Sequence, residues 1–356
     1  MNVEVVPGRN LAPELVARWV DLQAADARFV SPYFRPEFTQ AVAAVRDDVF
    51  VGVLSEGGVV RGFLPFQRTG RTTGGPVGGA MSNYQGVLVE PGTTWSARKL
   101  VRGLGLTVLD FDHLICTQPE LEPFHAHVEG SKVIDTAQGF EAWIESRHRN
   151  KKRSAVQVPR HIRKLECELG PVRFEPHVAD DDVFHTLVRW KRAQYLRTGA
   201  RGSMTFDWAV EALGHIAREQ KDGFSGMLSA LYAGDRLVAA HMGMRSRTVW
   251  HCWYPAYDPE HAEYRPGLVL FWKMIEYAAS NAIEWIDLGK GGEQFKRSFC
   301  TRSIDVAEGS VTLPSVSGDI HRIRARAVHF LRTAPKLDPA RRVFRVLRGS
   351  ARRRVS

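Results

Sequence analysis

Cysteine is scarce in this chain: four residues, Cys116, Cys167, Cys252 and Cys300, are scattered over 356 positions with no C-x-x-C pair. That spacing offers neither a zinc framework nor a disulfide staple, so no metal is expected, and it fits a reducing compartment. Long apolar runs are absent too, and none approaches the length of a membrane span. The first residues, Met1-Asn2-Val3-Glu4, carry an acid where a secretion leader would be basic and then apolar. The expected location is therefore the cytoplasm. Charge of one sign is missing from the body as well. The formal net charge of +10 belongs to the residues after Pro314, where twelve Lys and Arg face two Asp. Whatever that charge does is a property of the tail rather than of the whole protein. What remains is a globular composition, 44% hydrophobic and 25% charged, on a length that suits two cores.

From Pro171 onward the pattern is legible. Val172–Glu175 alternates as a strand, Asp180-Asp181-Asp182 opens a helix, and a second helix is expected over Thr205–Gln220. Ser225–Tyr232 and Arg236–Arg245 form a hairpin about Ala233-Gly234-Asp235, and Thr248–Tyr254 is the next strand. A helix over Gly267–Ala279 follows, with Leu268, Phe271, Trp272, Ile275 and Ala278 on one face. Then come a short strand at Glu284–Leu288, a glycine-rich corner over Gly289–Phe299 and a closing strand, Ile304–Leu313. The first half repeats this order loosely, with strands at Val3–Val6, Val49–Leu54, Val59–Phe66, Tyr84–Val89, Thr107–Phe111 and Ser131–Asp135, and helices at Leu11–Ala24, Pro36–Val45 and Ser96–Gly103. Its corner is missing, and the loop Gly70–Ala80 is extra. The expected division is a degenerate first copy over 1–137, a basic helical connector over 138–170, a second and reactive copy over 171–314, and a basic amphipathic tail over 315–356.

The most informative stretch is Tyr264–Phe299. Pro266-Gly267 opens a helix, so unpaired N–H groups and the positive end of the helix dipole point outward, and Arg265 adds a charge. This suits a pyrophosphate or the phosphates of a tRNA end; the alternative is an ordinary turn with proline at the first helical position. Asp287 ends a strand beside Gly289-Lys290-Gly291-Gly292, where it could act as a base, orient an acceptor or merely cap the loop, and Glu293 is a similar candidate.

Five motifs in order carry a family resemblance: Ser82-Asn83-Tyr84-Gln85-Gly86, Tyr257-Asp258-Pro259-Glu260, Arg265-Pro266-Gly267-Leu268, Ile286-Asp287-Leu288-Gly289 and Phe295-Lys296-Arg297. With the element order they resemble the GNAT acetyltransferases, and within them the CelD/BcsL-type group associated with polysaccharide biosynthesis. That group is similar in turn to the FemABX aminoacyltransferases, which also carry two GNAT-like halves. The resemblance implies an α/β (α+β) fold of tandem GNAT-like domains with mixed central sheets and a basic helical tail. It implies an acyltransferase using acetyl-CoA or another acyl-CoA as co-substrate, with aminoacyl-tRNA as the alternative donor, acting on an amino or hydroxyl group of a sugar, glycan precursor or small metabolite. The usual Gln/Arg-x-x-Gly-x-Gly/Ala signature is reduced here to Arg265-Pro266-Gly267, which with Leu268 is the expected donor-binding set. The central hairpin lines the cleft of that fold, so His241 or His251 could be the catalytic base, beside Asp287; core histidines are the alternative. Lys296 stands where the family has a lysine after an aromatic, and would hold an anion or steady developing negative charge. Tyr84, Trp253 and Tyr257, with Glu293, are the expected acceptor wall. The basic connector could be a cationic wall beside a cleft or a solvated helix face, and with the tail it could hold tRNA. The tail could instead meet an anionic membrane surface, which would place the protein at the inner face of the membrane, or simply show its arginines to solvent. A GNAT-like scaffold without catalysis, recruited through its tail, is the reading from another functional class.

Overall fold

The computed structural model describes residues 1–200 and 202–314; the predicted basic tail lies outside the described residues. In chain order the strands are β1 (Asn2–Pro7), β2 (Val49–Glu56), β3 (Val59–Arg68), β4 (Thr73–Gly75), β5 (Leu88–Val89), β6 (Val108–Ile115), β7 (His125–Asp135), β8 (Val172–Glu175), β9 (Gln220–Lys221), β10 (Phe224–Ala233), β11 (Arg236–Arg245), β12 (Val249–Tyr257), β13 (Trp285–Asp287) and β14 (Arg302–Thr312). The helices are α1 (Pro13–Ala24), α2 (Pro36–Val45), α3 (Ala97–Gly103), α4 (Phe140–Arg149), α5 (Arg153–Val156), α6 (Val158–Leu169), α7 (Asp181–Thr198), α8 (Asp207–Arg218), α9 (Pro266–Ser280) and α10 (Gln294–Phe299).

Local chemistry sets many of these limits. The Asp180 carboxylate accepts the N–H groups of Asp182 and Val183, capping α7, and Gly199 ends that helix in the left-handed region at φ 65°. Proline opens α1, α2 and α9, where a missing N–H costs no helical bond. Two expectations shrink: of Tyr84–Val89 only Leu88–Val89 joins a ladder, and the corner after Asp287 contains α10. The extra loop of the first half holds the short strand β4, parallel to β6.

The described strands belong to one mixed sheet, ordered β1-β2-β3-β4-β6-β14-β7-β13-β12-β11-β10-β8, with β5 and β9 on side branches. The order interleaves the halves. β14, the last strand of the second half, lies between β6 and β7 of the first, while β7 pairs with β13 of the second. The cores are shared in the same way. One cluster joins Trp19, Phe38 and Tyr84 to Leu187, Met242 and Tyr254, with α1, α2, α7 and α8 over one face of the sheet. A second, under α4, α6 and α9 on the opposite face, gathers Trp143, Leu165, Trp250, Phe271 and Phe299. A third lies under α3.

A chain truncated after Thr301 lacks β14 and leaves β6 and β7 unpaired with each other. Its amide NMR spectrum should lose dispersion in both halves; a retained first-half pattern would show that β14 is dispensable there.

Candidate active site

β12 and β13 run parallel and pair over three positions, Val249–Trp285, Trp250–Ile286 and His251–Asp287. β13 then stops while β12 runs on to Tyr257, so a wedge opens between Cys252–Ala256 and Leu288. A cavity of about 730 Å³ fills that wedge. Ser154, Gln157 and His161 of the connector and Arg265-Pro266-Gly267-Leu268 border it from the α6/α9 face. Lys191 and Gln194 of α7 border it from the other face, and Glu293, Phe295 and Lys296 close one side. The cleft thus passes through the sheet.

The apex of the wedge is a buried polar knot. Asp287 is fully enclosed, and its carboxylate accepts the Tyr84 hydroxyl at 2.5 Å, the Ser131 hydroxyl at 2.9 Å and the Gly289 N–H at 2.7 Å. Nδ1 of His251 stands 3.5 Å from the same carboxylate, while the Asn83 amide lies 3.0 Å from Nε2. With Asn83 donating, Nε2 accepts and the ring proton sits on Nδ1, facing Asp287. Burial opposes ionisation of Asp287, but His251, the Tyr84 hydroxyl and the Gly289 N–H outweigh it and hold the carboxyl below its usual range. Asn83, Tyr84 and Ser131 come from the first half and His251 and Asp287 from the second, so the knot ties the halves together.

His241 is also fully enclosed. A bulge in β12 frees the Trp253 N–H from the ladder, and that group donates to His241 Nε2 at 3.3 Å. Gly243 makes room for the ring: a Cβ there would meet His241 Cε1 at 2.6 Å and the His251 carbonyl at 2.3 Å. Burial, with His251 and Lys191 adding to it, pushes the imidazole down to about 3, so it is neutral at physiological pH. Neither histidine borders the cavity, nor does Tyr84 or Asp287.

Arg265, Pro266, Gly267, Leu268, Trp253, Tyr257, Glu293 and Lys296 do border it. Arg265 sits in the left-handed region at φ 56°, ψ 46°, a conformation unusual for a residue with a side chain, and starts α9. Its carbonyl takes the N–H groups of Leu268 and Val269, while the Gly267 N–H finds no acceptor among the described residues. Packing does not demand glycine at 267. A Cβ there would approach nothing nearer than Tyr257 Cδ1, at 3.5 Å. Lys296 is buried, donates to the Lys290 carbonyl at 2.5 Å and pairs with Glu293 at 3.2 Å.

Six further cavity residues, Lys191, Gln194, Ser154, Gln157, His161 and Cys252, are not singled out by sequence reasoning. For Lys191 a signal exists. Val183 and Leu187 continue at four-residue spacing to Lys191, which puts a lysine on the buried stripe of α7. Among the described residues no group of side chains is arranged to hold a metal ion, and no helix is long and apolar enough to cross a membrane.

Residues 150–297 match the family model of the acetyltransferase (GNAT) domain. No curated protein sequence matches the chain. Among solved structures, FemX superimposes with a TM-score of 0.58 at 11% identity, over 90% of this chain and 99% of that one. The C-terminal DUF2156 domain from Agrobacterium fabrum gives 0.54 at 12% identity, over 88% and 96% of the two chains. The L-PGS from Bacillus licheniformis gives 0.53 at 10% identity, over 89% and 96%. At such identities the likeness is one of fold. It agrees with the mixed α/β, GNAT-like architecture expected from the sequence.

Two outcomes follow from the buried groups. The unfolded chain takes a proton on His241 near its ordinary value of 6.5, whereas the folded chain does so only at about 3. Stability from this residue is therefore complete above pH 6.5 and declines as pH falls through that window. Urea midpoints measured from pH 7 to pH 4 should fall less in His241→Gln than in the parent. Asp287→Asn leaves three donors facing an amide that is itself a donor, and should cost roughly 1–3 kcal/mol in urea unfolding.

Proposed function

We propose that this protein is an acyltransferase that takes an acyl group, acetyl in the first instance, from acyl-CoA and places it on an amino or hydroxyl group of a sugar, glycan precursor or small metabolite. The observation that carries the reading is Gly267. It lines a large cleft in the first turn of a helix, its N–H finds no acceptor among the described residues, and its neighbours do not require glycine. A ligand that approaches the backbone closely is what a missing Cβ accommodates, and a helix start with an arginine beside it favours a diphosphate.

The remaining walls fit the same donor. Leu268, Phe271, Leu288 and Ala256 offer apolar surface to an extended arm. Burial, and then the nearby cations Arg265, Arg160 and Lys164, push His161 below its ordinary value, so it serves as a neutral hydrogen-bonding group. Bound there, an acyl-CoA supplies an acyl carbonyl activated as a thioester. Lys296, fixed by the Lys290 carbonyl and by Glu293, is the cation placed to steady negative charge on the acyl oxygen. Trp253 and Tyr257 support a sugar-like acceptor through their ring faces, in keeping with the CelD/BcsL resemblance. The acceptor and the polysaccharide setting are part of this proposal.

Acetyl-CoA at a hundred times its dissociation constant should stabilise the fold by about 2.7 kcal/mol and raise the melting temperature by several degrees. Gly267→Ala should melt at the parent temperature without ligand, because the added methyl meets no clash, yet lose at least tenfold in acetyl-CoA affinity. Equal affinity would remove the Gly267 argument. Protection by aminoacyl-tRNA and not by any acyl-CoA would replace the donor.

A further inference from the structure

An acceptor amine or hydroxyl must lose a proton during acyl transfer, and the residues assigned so far offer nothing to receive it. Asp287 is saturated by three donors, His251 is held between Asn83 and Asp287, and His241 accepts the Trp253 N–H. None of them reaches the cavity. Glu293 does, but its carboxylate is paired with Lys296.

We propose that the side-chain amine of Lys191, on α7, is the general base of the acyl-transfer reaction, taking the acceptor's proton where the cleft passes through the sheet. The proposal rests on the acyl-transfer reading above. Lys191 borders the cavity from the face opposite α6 and α9. An acceptor entering from the α7 side therefore meets this amine before it meets a donor held at the start of α9. Among the described residues Nζ has a single hydrogen-bond partner, the Pro255 carbonyl at 2.9 Å, and lies 5.7 Å from the centre of the Tyr195 ring, which together fix the amine against β12 beside the cleft. The groups that face it are the Cys252 thiol from β12, Glu293 from the corner, Lys296 from α10, His241 from β11 and the Tyr195 ring from α7 itself. Burial pulls Lys191 down to about 8; Cys252 and Glu293 pull the other way, and Lys296 pushes in the same direction as burial. Near neutral pH a usable share of Lys191 is thus an uncharged amine with a lone pair. The Cys252 thiol is pushed up to about 12 by burial, stays protonated and does not compete as a nucleophile.

In the transfer step the acceptor's lone pair adds to the acyl carbonyl carbon, and its proton passes to Lys191 Nζ. The carbonyl re-forms as the carbon–sulfur bond breaks. The thiolate leaves and is protonated, and Lys191 returns to the amine by giving its proton to that thiolate or to water. The two lysines of the cleft then divide the work: Lys296, paired with Glu293, faces the acyl oxygen, and Lys191, with no carboxylate in contact among the described residues, cycles its proton.

The test uses the full chain with ¹³C-methylated lysines, titrated by NMR from pH 6 to pH 11. One resonance, lost in Lys191→Arg, should titrate near pH 8; its titration with the bulk above pH 10 would overturn the proposal. In parallel, acetyl-CoA turnover is followed with glucosamine as the acceptor probe and water as the slow default. Lys191→Gln and Lys191→Arg should both lose about 100-fold or more in kcat/KM. Both should keep the melting shift with acetyl-CoA, and both should lose the rise in rate between pH 6 and pH 8. Parent-like turnover in Lys191→Arg, which keeps the cation and cannot give it up, would sink the base role. Absence of any acetyl-CoA shift in the parent protein would count against the donor reading instead, and the titration would then decide for Lys191 alone.

Discussion

The carboxylate of Asp287 is buried without any contact with solvent, and it is tolerated there because donors from both halves of the chain converge on it. Tyr84 and Ser131 reach it from the first half, and the Gly289 N–H and His251 from the second. A charge in such a place is strongly destabilising when any partner is removed, and that asymmetry specifies how the halves sit against each other. Asp287 is also the last residue of β13, so the same knot fixes the point where β12 loses its neighbour. The mouth of the cleft begins one residue further along each strand, at Cys252 and Leu288.

An open wedge in a sheet is a liability, because it exposes strand edges that could pair with something else. Here the exchange of strands limits the exposure. β7, from the first half, covers the far edge of β13, and β14 covers β7, so the sheet continues past the wedge. The cleft then lies where two neighbouring strands part, with α9 below and α7 above. The first half thus serves as the wall against which the second half is built.

Local signals make the helices and hairpins legible in the amino-acid sequence. Asp180 and Gly199 bracket α7, and proline marks the starts of α2 and α9. The strand exchange is not legible there, because β14 and β6 have no shared local pattern; their pairing joins residues that are far apart in sequence. The site divides along the same line. The proposed donor side, Arg265-Pro266-Gly267, is contiguous, and its turn chemistry is readable from proline and glycine alone. The fates of His241 and His251 depend on a bulge at Trp253 and on Asn83 arriving from the other half, neither of which periodicity reveals. Lys191 is hidden for a different reason. A lysine that continues the spacing of Val183 and Leu187 reads, by residue type alone, as a solvent residue.

The two sides of the cleft differ in a way that matters for chemistry. The α6/α9 face presents a helix start, Arg265 and His161, whose value burial and the nearby cations lower, and on the proposed reading these groups hold phosphate. The α7 face presents an amide, Gln194, and the amine of Lys191, beside the ring of Trp253, while the Tyr257 ring lies by Gly267 at the start of α9. Desolvation acts oppositely on these two jobs. Binding of an anion is favoured by a guanidinium, the group that Arg265 brings to this face, because its planar fork matches phosphate oxygens. Proton removal is favoured by a lysine, whose charge burial can strip. On the proposed reading, arginine stands at the phosphate end and lysine at the far end of one cleft that crosses the sheet between α9 and α7, so the two functions are held at a distance from each other.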